Sequence, residues 1–208
     1  MTTGSELLTL SPVIPVVVVD DPGDAAPLAE ALLAGGIKVI ELTLRTPAAL
    51  EAIANVHKSV PDIVLGAGTV TSPAQAAQAA EAGASFLVTP GTTDAVLDAC
   101  QVTGLPFLPG ASTVSEMMRL AERGLTALKF FPAEAAGGAD FLKSVSGPLP
   151  ELRFCPTGGI NLANAPQYLG LPNVKCVGGS WLTPKDALAA KDFGRIEALA
   201  KEASALTA

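Results

Sequence analysis

Apolar, β-branched runs alternate with alanine-rich stretches along almost the whole of the 208-residue chain. Short apolar runs bounded by turn residues read as buried strands, whereas longer stretches with apolar positions three or four apart read as helices. This pattern predicts eight strands, over Val13–Val19, Lys38–Thr43, Ile63–Gly66, Ser85–Thr89, Pro106–Pro109, Ala127–Phe131, Arg153–Thr157 and Lys175–Gly178. Between them it predicts helices over Ala25–Ala34, Pro47–Lys58, Pro73–Ala82, Asp94–Val102, Val114–Arg123, Asp140–Val145 and Ala163–Leu169. Thr46-Pro47 and Ser72-Pro73 each set a capping hydroxyl before a proline at the first helical position. Gly35, Gly83, Gly104 and Gly124 are expected to close helices in the left-handed conformation. The stretch from Lys185 to Ala208 reads as the last helical cover.

Strict βα alternation with short links calls for a parallel sheet with helical crossovers. Eight such units fit a compact (β/α)8 TIM barrel, a single domain over residues 1–208. An open doubly wound sheet is the second choice, because periodicity does not reveal closure. A hydrophobic content of 49% suffices for a full core. The densest apolar run, Val13 to Val19, is strand-sized and broken by Pro15, far short of the roughly 20 residues of a membrane span. The first residues lack a basic region followed by an apolar stretch, so a cytoplasmic location is expected.

Cys100, Cys155 and Cys176 lie far apart and match no metal spacing, which makes them small buried apolar residues. A net charge of −7 argues against a nucleic-acid partner, since that needs a basic face. It leaves a small anionic substrate open, because a small ligand meets only local groups.

The chemistry centres on Lys129, in the middle of the apolar strand Ala127–Phe131. An ammonium there is costly unless it is paired or gives up its proton. A neutral amine can attack a ketone and form a Schiff base, whereas a structural ion pair would be the plainer role. On the second strand, alternation puts Glu41, Thr43 and Arg45 on one face. Glu41 suits general acid and base work beside such a lysine, or simple pairing with Arg45 or Lys129. Arg45 could fork onto a substrate carboxylate, or be an exposed loop residue.

Gly158-Gly159 and Gly178-Gly179-Ser180 follow the seventh and eighth strands, where barrel enzymes often hold phosphate on backbone N–H groups. Gly66-Ala67-Gly68-Thr69 lacks the third glycine of a dinucleotide fingerprint, and no Walker sequence is present. The single histidine, His57, falls on a helix as an exposed residue, which argues against a Ser-His-Asp triad or a histidine-bound metal. With no acidic cluster at strand ends, no metal and no cofactor are expected.

Taken together, Glu41-Leu42-Thr43-Leu44-Arg45-Thr46, Gly66-Ala67-Gly68-Thr69-Val70, Lys129-Phe130-Phe131-Pro132-Ala133-Glu134, Arg153 to Ile160 and Gly178-Gly179-Ser180-Trp181 resemble the bacterial 2-keto-3-deoxy-6-phosphogluconate (KDPG) aldolases, which also act as 4-hydroxy-2-oxoglutarate aldolases. The resemblance runs from about Val13 to Arg195. It implies a homotrimeric class I aldolase of the Entner-Doudoroff pathway. Lys129 would form the Schiff base with pyruvate, and Glu41 would move protons. Arg45 and Thr69 would bind the pyruvyl carboxylate, with Pro90 and Phe131 lining the pocket. Thr157 would meet the aldehyde end, and Gly158, Gly159, Gly178, Gly179 and Ser180 the phosphate. Ala111 stands where relatives often carry a larger aliphatic residue. Within the aldolase reading, 4-hydroxy-2-oxoglutarate or 2-dehydro-3-deoxy-6-phosphogalactonate as the main substrate is the alternative. A phosphosugar isomerase or epimerase, and a non-catalytic barrel that binds a phosphometabolite, are the rival readings.

Overall fold

In the computed structural model, which describes residues 3–207, the strands are buried at almost every position, as the apolar runs of the sequence predict. Strands β1 (Val13–Val17), β2 (Val39–Thr43), β3 (Val64–Gly68), β4 (Phe86–Val88) and β5 (Phe107–Leu108) are followed by β6 (Gly110–Ala111), β7 (Ala127–Phe130), β8 (Arg153–Pro156) and β9 (Val177–Gly179). Every pairing is parallel, in a six-stranded sheet of order β5-β4-β3-β2-β1-β9 and a three-stranded sheet β6-β7-β8. Parallel bridges Phe154 to Val174 and Thr157 to Gly178 run between β8 and the β9 side. The result is an α/β fold with a curled parallel sheet, covered by helices on its outer face as parallel strands require.

The predicted fifth strand, Pro106–Pro109, is confined to β5 (Phe107–Leu108) and stops before Pro109, which has no N–H to give to a ladder; β6 follows beyond the predicted range. The Pro109 carbonyl still accepts from the Lys129 N–H at 2.9 Å, and the Gly110 N–H turns to Thr89 Oγ1 at 2.9 Å. β3 runs two residues further than expected, through Gly68, and β9, the predicted eighth strand, begins later, at Val177.

The crossover helices are α2 (Ala25–Ala34), α3 (Ala49–Ser59), α4 (Pro73–Glu81), α5 (Asp94–Val102), α6 (Val114–Glu122), α7 (Gly138–Val145) and α8 (Ala165–Leu169), preceded by a short α1 (Gly4–Leu7) that the sequence pattern missed. The final cover divides into α9 (Lys185–Ala189) and α10 (Phe193–Ser204). Ser72 caps α4 as expected, accepting from the Gln75 N–H with Pro73 at the first position. Thr46 does not cap α3: its hydroxyl donates to Val19 O at 2.6 Å, and the helix starts later, after Ala48. Gly35 also departs from expectation. It keeps an ordinary φ of −78°, and Gly36 takes the left-handed turn at φ 90°. Gly83, Gly104 and Gly124 are left-handed as predicted.

Two apolar clusters divide the strand residues by parity. Ile40, Leu42, Leu87, Leu128, Phe130 and Phe154 pack outward with the helices. Ile14, Val39, Phe86, Val88, Leu108, Ala127, Cys155 and Cys176 share a second cluster that draws on both sheets, closed by Leu7 and Leu8 around α1. Each fully buried Leu of this kind is worth roughly 1.5–3 kcal/mol of transfer free energy, which explains why so short a helix stays docked.

Candidate active site

The inner apolar residues are the starting point, because two positions further along the strands the same face turns polar. Val39 leads to Glu41 and then Thr43, Ala127 to Lys129, Cys155 to Thr157, and Val88 to Pro90. The amino ends of the strands are thus a dry floor, and the carboxyl ends hold the chemistry, as in barrel enzymes.

Lys129 Nζ donates to Glu41 Oε1 at 3.2 Å, with side chains only 4% and 3% exposed. The partners belong to different sheets and lie 88 residues apart in the chain. Burial of both charges removes most hydration, so their mutual contact must carry the compensation. The ammonium also lies 5.6 Å from the centre of the Phe131 ring. Room for the Glu41 carboxylate comes from Gly68, where an added Cβ would sit 2.0 Å from Oε1.

Thr43 shares the Glu41 face, but its hydroxyl is spent on Val17 O at 2.8 Å. Arg45 lies exposed beyond the end of β2 and donates from Nε to Thr69 Oγ1 at 3.0 Å. Thr69 holds φ at 59°, an uncommon conformation for a β-branched residue, of the kind that costs about 1–3 kcal/mol and gathers at functional sites.

A cleft of about 570 Å³ opens over these strand ends. Arg45, Phe131, Thr157, Gly158, Gly159, Gly178, Gly179 and Ser180 line it, eight of the residues singled out from sequence. Lys129, Glu41, Thr69 and Pro90 are not among its walls, but two wall residues adjoin them: Phe131, whose ring centre lies 5.6 Å from Lys129 Nζ, and Arg45, which donates to Thr69. The seventh and eighth strand ends meet where Thr157 pairs with Gly178, whose missing Cβ would fall 2.1 Å from Thr157 Oγ1.

Two features were not singled out from the sequence. Lys185, Thr183 and Ile160 also line the cleft. Lys185 follows the Gly178-Gly179-Ser180 segment closely enough that its spacing could have flagged it. Glu134 lies against Gly159, and the buried Tyr168 hydroxyl donates to its carboxylate. Burial, then this bond to Glu134, pushes the Tyr168 phenol well above its ordinary range.

The cysteines are all buried and unpaired, and burial pushes the Cys100 thiol up to about 11. His57 is exposed on α3. Among the described residues no group of three or more His, Cys, Asp or Glu is placed to hold a metal ion, and no helix is long and apolar enough to cross a membrane.

A buried amine and carboxylate in contact at the carboxyl ends of parallel strands, beside a cleft that holds an arginine, define a site suited to carbonyl chemistry on an anionic substrate. The model of the KDPG and KHG aldolases matches residues 5–199, and the chain belongs to this family. It is 52% identical over 204 residues to the 2-dehydro-3-deoxy-phosphogluconate aldolase of Dickeya dadantii, covering 98% of this chain and 96% of the relative. To the KHG/KDPG aldolase of Escherichia coli K12 it is 50% identical over 202 residues, covering 97% and 95%. The crystal structure of KDPG aldolase from Legionella pneumophila, with pyruvate captured as a covalent carbinolamine intermediate, superposes with a TM-score of 0.96 at 47% identity, over 98% of this chain and 99% of that one. The Zymomonas mobilis enzyme with 3-phosphoglycerate gives a TM-score of 0.93 at 47% identity, over 99% and 96%.

Proposed function

We propose that this chain is a class I aldolase that reversibly cleaves 2-keto-3-deoxy-6-phosphogluconate to pyruvate and glyceraldehyde 3-phosphate. The observation that carries the reading is the buried contact of Lys129 with Glu41 at 3.2 Å, next to the cleft of a chain that belongs to the KDPG and KHG aldolases. A carbinolamine with pyruvate in the Legionella relative supports the covalent route.

Proton transfer from Lys129 to Glu41 leaves a neutral amine, which attacks the C2 ketone. Loss of water from the carbinolamine gives a protonated imine. The electrons of the C3–C4 bond flow into that cation as Glu41, freed of its proton, takes the C4 hydroxyl proton, directly or through water. Glyceraldehyde 3-phosphate departs, the enamine is protonated at C3, and hydrolysis releases pyruvate and the free amine. Positioned proton transfer of this kind contributes about 10²–10⁴-fold in rate. Arg45, aligned by Thr69, takes the pyruvyl carboxylate, with Pro90 and Phe131 beside the imine. Thr157 meets the aldehyde portion. Gly158, Gly159, Gly178, Gly179 and Ser180 receive the phosphate on backbone N–H groups and a hydroxyl. The same site admits 4-hydroxy-2-oxoglutarate, a reading favoured by the double name of the Escherichia coli relative.

The reading includes a single domain over residues 1–208, closed as a (β/α)8 barrel with β5 and β6 as one stave. Contact of Lys129 and Glu41 across the two sheets supports closure. A cytoplasmic homotrimer without metal or cofactor completes it, and sedimentation equilibrium tests the trimer.

Borohydride reduction in the presence of pyruvate, followed by peptide mapping, tests the chemistry. A reduced pyruvyl adduct on Lys129, absent in Lys129→Ala, is the expected result. Folded protein that gives no adduct at saturating pyruvate would overturn the reading and leave Glu41 as a base acting on a phosphosugar.

A further inference from the structure

The chain carries 20 acidic and 13 basic side chains, yet the charged residues lining the cleft, Arg45 and Lys185, are both cationic. Arg45 is engaged with Thr69. Lys185 makes no salt bridge among the described residues. It stands on the wall shared with a second cavity of about 370 Å³ that contains Asp20, Asp21 and Asp24. Two of those carboxylates already have a cation, because Lys191 Nζ lies 2.7 Å from Asp24 and 3.6 Å from Asp21. On its other side Lys185 shares the cleft with Gly178, Gly179, Ser180 and Thr183.

We infer that Lys185 is a specificity-determining residue whose ammonium recognises the substrate phosphate beside the glycine pairs and Ser180; the inference rests on the aldolase reading above. A phosphomonoester carries between one and two negative charges near pH 7. Backbone N–H groups and a hydroxyl satisfy its oxygens but bring no net charge, and the chain as a whole repels an anion with its net charge of −7. A lysine supplies a point charge without demanding one bonding geometry, which suits a tetrahedral phosphate. Because Lys185 is exposed, solvent and salt moderate the effect, so it tunes affinity and leaves the chemical step to Lys129 and Glu41.

The test compares kcat/KM for 2-keto-3-deoxy-6-phosphogluconate with that for 4-hydroxy-2-oxoglutarate, which ends in a singly charged carboxylate. In Lys185→Ala the ratio of the two is expected to fall about tenfold, through KM of the phosphorylated substrate, in line with loss of one charge-assisted hydrogen bond. Lys185→Glu should lower it further, and Lys185→Arg should restore it to within about threefold. A Lys185→Ala ratio within about twofold of wild type, or an equal loss on both substrates, would overturn the inference alone. Wild-type protein that cleaves neither substrate would overturn the aldolase reading, and this inference with it.

Discussion

Gly68→Ala probes how tightly the fold holds the reacting pair. The backbone of β3 at this residue is ordinary for a strand, so alanine meets no conformational penalty. The obstacle is contact. A Cβ would fall 2.0 Å from Glu41 Oε1 and 2.5 Å from both Cγ and Cδ. Since carbon contacts settle near 3.5 Å, the carboxylate must withdraw by about 1.5 Å, and the 3.2 Å contact with Lys129 does not survive such a shift. A displacement of about 1 Å in a catalytic group typically costs about 10²-fold in rate, and overpacking a core adds about 1–3 kcal/mol of destabilisation. We therefore expect kcat for cleavage to fall about 100-fold, with KM changed much less because Arg45 and the cleft are untouched. Steady-state kinetics, with pyruvate release coupled to a dehydrogenase, reads the rate, and urea denaturation reads the stability. Borohydride trapping should still label Lys129, because the amine is present although its proton acceptor has moved. A variant with kcat within about threefold of wild type and an unchanged melting profile would refute both the placement of Glu41 and its role in proton transfer.

Three further outcomes are expected. Arg45→Lys loses the planar Nε donor to Thr69 Oγ1 and should raise KM for every pyruvyl substrate about tenfold, measured by initial rates. Tyr168→Phe removes the hydroxyl that holds Glu134 against Gly159; urea denaturation should show a loss of about 1–2 kcal/mol, and KM should rise more for phosphorylated than for unphosphorylated substrate. Burial pushes the Cys100 thiol from 9.0 up to about 11, so its protonated form stabilises the fold fully below pH 9, and that contribution is lost as pH rises from 9 toward 11. Denaturation at pH 8 and pH 10.5 should show a fall that is smaller, by up to about 2 kcal/mol, in Cys100→Ala.

The alternation of strands and helices was legible because it is local. Period-two and period-3.6 patterns arise from backbone geometry and need no knowledge of distant neighbours. Ser72-Pro73 and Asp94–Val102 were readable on the same ground. The errors came where tertiary partners outbid local signals. Thr46 carries a helix-cap signature, but Val19 O offers its hydroxyl a bond across the fold. The strand expected at Pro106–Pro109 is present at Phe107–Leu108, but β6 at Gly110–Ala111 was missed, because the path from Leu108 to Gly110 turns past Pro109, with the backbone of Pro90 only 2.4 Å from where a Gly110 Cβ would stand. The turn α1 is too short for any periodicity to register, and only the apolar cluster beneath it explains its place.

By itself the sequence determined the βα order, the shared face of Glu41 and Thr43 on the second strand, and the presence of a lysine and a glutamate on apolar strands. Those properties follow from side-chain period and from the cost of burying charge. Only the tertiary structure decided that Lys129 and Glu41 are each other's partners across 88 residues, that Gly68 makes room for the carboxylate, and that Lys185 shares a cleft with the glycine pairs. Contacts between residues remote in the chain depend on how the sheet curls and where each strand end comes to rest, and no local pattern encodes either.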